Sequence, residues 1–132
     1  MLKDSFSLIT KRPFRNPSLA VTQAGMFGGG MTPQPGEISL AHHGILFLDE
    51  FPEYKREIIE MLRVPLEKHE ISIVRKEQTL TFPADFLLSV CANSCPCGYY
   101  PMDKCRCTYR QIVKYQNRIS GPILDRSADF EL

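Results

Sequence analysis

The 132-residue sequence predicts an α/β domain: a parallel sheet with flanking helices, carrying one added β-hairpin. Three observations lead there. Ile45-Leu46-Phe47-Leu48 and the largely apolar Phe86 to Ala92 read as strands buried on both faces, the pattern of a parallel sheet covered by helices. Between them Ile58, Ile59, Leu62 and Leu66 recur at helical spacing, so a helix packs on that sheet. Ile71-Ser72-Ile73-Val74 and Thr79-Leu80-Thr81-Phe82 alternate instead, with Arg75-Lys76-Glu77-Gln78 between them, the mark of a hairpin with a charged tip.

Composition narrows the class further. A chain of this length is one domain with room for a core, and 43% apolar with 23% charged residues is ordinary for a globular chain rather than a disordered one. The net charge of +1 gives no global pull on a polyanion, so any nucleic-acid surface must be a local patch. No segment is long and apolar enough for a bilayer, and no signal-like start is present, which makes the cytoplasm the default location. There is no internal repeat. Four of the five cysteines fall between Cys95 and Cys107, and such bunching favours a metal over a spread disulfide framework.

Taken in order, residues 1–20 hold Lys3, Lys11, Arg12 and Arg15 with Pro13 and Pro17, and show no helical stripe. They read as a solvated, loosely attached segment. Gly28-Gly29-Gly30 to Gly36 is a Gly/Pro-rich loop, a hinge or insertion rather than a phosphate cradle, because no Lys-[Ser/Thr] follows it. Glu37 to His43 makes a short helix feeding the first core strand, with the adjacent His42 and His43 pointing in different directions. After Phe51, Pro52 suits a helix start and Glu53 the first turn, so a helix runs from about 53 to 67, with Pro65 placed to kink or shorten it. Tyr109 to Ile119 is helical, with Ile112, Tyr115 and Ile119 inward and Arg110, Lys114 and Arg118 on another face, and Gly121-Pro122 stops it.

The chemistry gathers at strand ends and in the cysteine block. Asp49 and Glu50 close the first core strand, where open α/β sheets place their ligands. Asn93 closes the second. In P-loop NTPases an Asp so placed holds Mg²⁺ and a following Glu can orient the attacking water; a core strand with a solvated acidic end is the plain alternative. Cys95-Pro96-Cys97 and Cys105-Arg106-Cys107 could supply four thiolates to a tetrahedral Zn²⁺. Their C-x-C arms are tighter than the usual C-x₂₋₄-C, and reduced packing or redox-sensitive thiols are the alternative. Six cations face two acids between Cys95 and Arg126, interleaved with Tyr99, Tyr100, Tyr109 and Tyr115, a modest nucleic-acid signature.

Pro35-Gly36-Glu37-Ile38-Ser39-Leu40-Ala41-His42, Gly44 to Phe51, Asn93-Ser94-Cys95-Pro96-Cys97-Gly98 and Arg118 to Arg126 together resemble one family. It is the magnesium-chelatase-like AAA+ ATPases of the ComM/YifB type. The likeness covers about Arg12 to Arg126, and its ordered combination is far more specific than any piece. The resemblance implies that 1–132 is a partial AAA+ P-loop NTPase core, built for ATP and Mg²⁺ and forming a homo-oligomeric ring, a hexamer. Within it 12–36 would be the helix-2 insertion region, 44–51 Walker B, 71–82 the hairpin before sensor 1, 93–107 sensor 1 with the cysteine cluster, and 118–126 the arginine-finger segment. Asp49 and Glu50 match Walker B, Asn93 matches sensor 1, and Arg126 matches the finger offered to the neighbouring subunit, with Arg118 a weaker candidate. DNA branch migration is the activity associated with the ComM type, and the Cys-Pro-Cys-Gly block points to that side of the family.

The departures from the pattern have a physical consequence. The sequence contains no G-x-x-x-x-G-K-[ST], and the family's sensor 2 and lid are also missing. Ser127-Ala128-Asp129 stands where Ile-Asp is expected, and Ser94 where Pro is common. Since the P-loop backbone and its Lys hold the β/γ-phosphates, this polypeptide alone is expected to bind ATP poorly and turn it over negligibly. Two other readings stay open: a non-catalytic zinc-knuckle nucleic-acid-binding module, and a ring partner supplying Arg126 in trans.

Overall fold

The computed structural model describes residues 11–118 and, for the backbone alone, 129–131. The expected α/β core is there. Four strands, β1 (Phe14–Arg15), β4 (Ile45–Leu48), β7 (Leu87–Cys91) and β8 (Asp129–Glu131), lie side by side in that order, and every neighbouring pair is parallel. The centre of the sheet is β4 against β7, with Leu46 opposite Leu88 and Leu48 opposite Val90. Those four side chains are at most 3% exposed. Ile45 and Phe47, on the other face, are only half-buried, so the expectation of strands closed on both faces holds for one face alone. Phe47 gains its cover from Phe14, whose ring lies 6.1 Å away centroid to centroid.

The N-terminal segment departs from its expected looseness. β1 is an edge strand beside β4, and the Ile45 N–H donates to the Pro13 carbonyl at 2.9 Å. Space for that approach exists only because residue 44 is glycine. A Cβ there would lie 2.0 Å from the Pro13 carbonyl oxygen. Arg15 then grips Glu37 bidentately at 2.6 and 2.9 Å, which joins β1 to α2 (Glu37–Leu40) and raises the arginine's pKa, the hydrogen bond to Glu37 being the main cause. Residues 1–10, with Lys3, lie outside the described part.

Between β1 and α2 the expected loop carries structure of its own. Thr22 caps α1 (Gln23–Phe27) by accepting from the Gly25 N–H, and Met26 and Phe27 enter the core. Gly28–Gly29 (β2) then pairs antiparallel with Gln34–Pro35 (β3). α2 stops at Leu40, earlier than the predicted 43, because His43 takes a left-handed φ of 62°. That turn brings the His42 and His43 rings to 3.7 Å rather than sending them apart.

The single helix expected over 53–67 is three pieces: a 3₁₀ turn at Phe51–Glu53, α3 (Arg56–Met61) and α4 (Arg63–Lys68). Pro65 is the cause of the second break. It has no N–H to give to the Met61 carbonyl, so the hydrogen-bond ladder lapses at Leu62. The apolar stripe survives, with Ile58, Ile59 and Leu62 buried and Leu66 packed against them. β5 (Glu70–Arg75) and β6 (Gln78–Pro83) form the predicted hairpin, a separate two-stranded sheet with Lys76 and Glu77 as its loop. α5 (Tyr109–Asn117) opens with a reciprocal capping box between Thr108 and Gln111, and Ile112 and Tyr115 face inward as predicted. No helix among the described residues is long and apolar enough to cross a membrane.

Candidate functional site

Because β4 and β7 are parallel and paired from Ile45↔Leu87 to Leu48↔Val90, the residues that follow each strand leave the sheet at one rim. Asp49 and Glu50 follow β4, Asn93 follows β7, and all three are solvent-exposed. The chain turns hard at this point. Glu50 sits in the left-handed region at φ 52°, ψ 45°, and its N–H donates to Asp49 Oδ1 at 2.8 Å. A non-glycine residue held there is uncommon, and such strain collects at functional sites. The turn also lets the Glu50 carbonyl accept from the Glu53 N–H, starting the 3₁₀ turn.

Two tyrosines that sequence patterning did not single out as site residues support this rim. Tyr54 is 1% exposed and donates its hydroxyl to the Pro17 carbonyl at 2.6 Å. Burial, with the charges of Asp49 and Glu50 adding to it, pushes that phenol up to about 12. Tyr115 is raised too, chiefly by burial. The Asn93 N–H works against that rise, while Glu53, Glu50 and Cys95 add to it, so Glu50, the asparagine and the cysteine loop all act on this one phenol. Arg118 Nη2 donates to the Tyr54 carbonyl at 2.9 Å, pinning the end of α5 to the segment behind the acids. That is a structural clip. Arg126, the matched arginine finger, lies outside the described residues, as do Ile119 and the rest of the segment to Ala128.

The four bunched cysteines converge. Their sulfurs all lie within 4.8 Å of one another, with Cys95–Cys97 at 3.2 Å, Cys97–Cys105 at 3.6 Å and Cys95–Cys105 at 3.8 Å. A tetrahedral ion with Zn–S bonds near 2.3 Å would set its sulfurs about 3.8 Å apart, so the set could hold a metal ion. Cys95 is fully buried and Cys97 exposed, which gives an ion a way in. Burial acts to raise the Cys95 thiol, but the Tyr100 N–H and the Cys97 and Cys105 sulfurs outweigh it and bring it down to about 6. Cys107 goes the other way: burial and its sulfur neighbours push it up to about 12. Four like charges this close cannot all form unaided, and a divalent cation is what would relieve them. Cys91, in β7, stands outside the cluster.

A cleft of about 780 Å³ lies at the opposite rim among Arg12, Pro13, His42, His43, Gly44 and Asp85. It is shallow, and one of its two imidazoles is already engaged: His42 Nδ1 accepts from the Asp85 N–H at 3.0 Å.

Parallel sheet, helical cover and a rim bearing two acids and an asparagine define a partial P-loop-type α/β core. The chain belongs to the family described as magnesium chelatase, subunit ChlI, whose pattern it matches over residues 1–131. It is 48% identical over 116 residues to the uncharacterized protein YifB of Salmonella typhimurium and 47% identical over 116 residues to the competence protein ComM of Haemophilus influenzae, each alignment covering 88% of this chain and 23% of the relative. An uncharacterized protein of Mycobacterium bovis is 39% identical over 127 residues, 96% of this chain and 25% of its own length. The chain therefore spans about a quarter of the curated relatives it matches.

Proposed function

We propose that these residues are the Walker B, sensor and arginine-finger portion of an AAA+ ATPase that couples ATP binding and hydrolysis to DNA remodelling of the branch-migration type. One observation carries the reading: the β4–β7 register delivers Asp49, Glu50 and Asn93 to a single rim. With nucleotide bound, a Mg²⁺ ion at this rim would supply positive charge to offset the negative charge that develops on the phosphates. Asp49 would hold that ion, Glu50 would orient the attacking water, and Asn93 would bond the γ-phosphate side of the site. The exposed carboxylates on a tight turn fit a hard cation that keeps part of its water shell. Arg126 would act on the neighbouring subunit's nucleotide in a homo-oligomeric, hexameric ring in the cytoplasm. The thiol cluster is in this reading a structural zinc site, closed by four protein ligands.

No P-loop sequence occurs in these 132 residues, so turnover requires one to be supplied. The test joins a P-loop-bearing segment ahead of Met1 and measures Mg²⁺-dependent ATP hydrolysis with and without branched DNA. Glu50→Gln should leave nucleotide binding in place and cut kcat by about 100-fold or more, the scale of a lost water-orienting base. Unchanged turnover in that variant, or brisk hydrolysis by the 132 residues alone, would overturn the proposal.

A second reading, a non-catalytic nucleic-acid-binding module, draws on the outer face of α5. Tyr109, Arg110, Val113, Lys114 and Asn117 line a shallow cleft of about 430 Å³ there. That reading needs nucleic-acid binding without nucleotide.

A further inference from the structure

We propose that one zinc-class divalent ion on Cys95, Cys97, Cys105 and Cys107 fixes the side chain of Asn93, so that occupancy of the thiolate site sets the geometry of the rim. The proposal rests on the reading of Asn93 as a rim group, and it makes Asn93's positioning depend on a site that touches no nucleotide.

The thiolate loop and the asparagine are built as one piece. Cys95 follows Asn93 by two residues, and the chain then folds back, with the Gly98 N–H donating to the Cys95 carbonyl at 3.0 Å. Gly98 has a left-handed φ of 80°, and its Cα faces the asparagine carboxamide. A methyl group placed there would lie 3.8 Å from both Cγ and Nδ2 of Asn93. Ser94, between the two, donates its hydroxyl to the Tyr100 carbonyl at 2.6 Å, and its own carbonyl accepts from Gln116 Nε2 at 3.0 Å. The loop thus forms a wall beside Asn93 and ties it to α5.

That wall has little else to hold it. Residues 95–107 contain no helix or strand, and Cys95 alone among them is fully buried. Tyr99, Tyr100 and Met102 are exposed rather than packed. A loop without a core of its own needs another source of order, and a tetrathiolate metal is the usual one in such segments. A backbone N–H already points at one of the sulfurs: that of Tyr100 reaches Cys95 Sγ at 3.4 Å. N–H donors of this kind surround and orient thiolate ligands in metal sites. Four soft sulfurs at tetrahedral spacing select zinc, or iron as the competitor, and leave no open position for catalysis.

The experiment uses the reduced 132-residue chain and no nucleotide. Co²⁺ is added first, then Zn²⁺, and ¹⁵N-edited spectra follow the Asn93 side-chain amide, assigned by its loss in Asn93→Asp. One equivalent of Co²⁺ should give tetrahedral thiolate absorption that zinc displaces, and zinc should move the Asn93 amide pair to new, sharper positions. Protection of the amides in 95–100 against exchange should rise about tenfold or more. Cys105→Ala should lose stoichiometric binding. Since that variant could also lose its fold, Gly98→Ala is the second arm: it keeps all four sulfurs, should bind zinc within about threefold of the parent, and should shift the Asn93 signals. Failure to bind one equivalent, or iron in place of zinc, overturns the site. Bound zinc that leaves Asn93 unmoved overturns the brace. Neither result bears on ATP hydrolysis, which is measured separately.

Discussion

The β4–β7 pair and the β5–β6 hairpin are both regular ladders, yet they are stabilised differently. In the first, Leu46, Leu48, Leu88 and Val90 disappear from solvent under the helices. In the second, six cross-strand pairs form, but Val74 remains 75% exposed and Leu80 37%. Its supports are few: Ser72 and Thr81 share a hydroxyl hydrogen bond at 3.0 Å, Ile71 and Phe82 reach the core, and Arg75 caps the carbonyls of Gly30 and Met31. A net hydrogen bond contributes about 1 kcal/mol, while a buried leucine contributes about twice that or more through transfer alone. Burial, rather than the completeness of the ladder, therefore decides how firmly each strand is held.

Three substitutions bear on that contrast. Leu46→Ala should cost about 3 kcal/mol in denaturant unfolding, since it leaves a cavity beneath the central strand. A loss below about 1 kcal/mol would mean that the sheet is less tightly packed than its burial implies. Tyr54→Phe keeps the ring and removes the bond to Pro17, for an expected cost of about 1 kcal/mol at neutral pH. Its pH behaviour is more telling. The folded phenol stays protonated up to about 12 against an ordinary value of 10.0, so the native state holds the proton that the unfolded chain gives up. Stability should accordingly fall as pH rises from 10 to 12, and the part of that fall due to Tyr54 should vanish in the phenylalanine variant. Smallest of all, Val74→Thr on the hairpin's open face should change stability by no more than about 0.5 kcal/mol. A larger loss would show that something covers that face in solution.

How much could be read from the sequence follows the same division. β4, β7 and the hairpin were legible because four or more consecutive residues carried an apolar run or an alternation. The acid pair and Asn93 were legible as candidates because each ends such a run. β1 was not, since two residues between Pro13 and Pro17 carry no period and Phe14 reveals its purpose only against Phe47. α1 is five residues long and equally silent. The histidine pair was misjudged because helix geometry was assumed where His43 turns left-handed. Arg118 looked like part of a basic face, and its bond to the Tyr54 carbonyl depends on a residue 64 positions away. Tyr54 lies outside the helical stripe that begins at Ile58, which left only tertiary structure to show its place under the acids.

The parallel register has a consequence for how the chain is made. Ile45 has Phe14 on one side from early on, but its second neighbour, Leu87, comes 42 positions later. A ribosome that has delivered residues up to about 80 has exposed an apolar strand with one side unclaimed, the kind of edge that invites association between nascent chains. Translation pauses before residue 87, or truncations that end there, should therefore yield insoluble material rather than a smaller soluble domain.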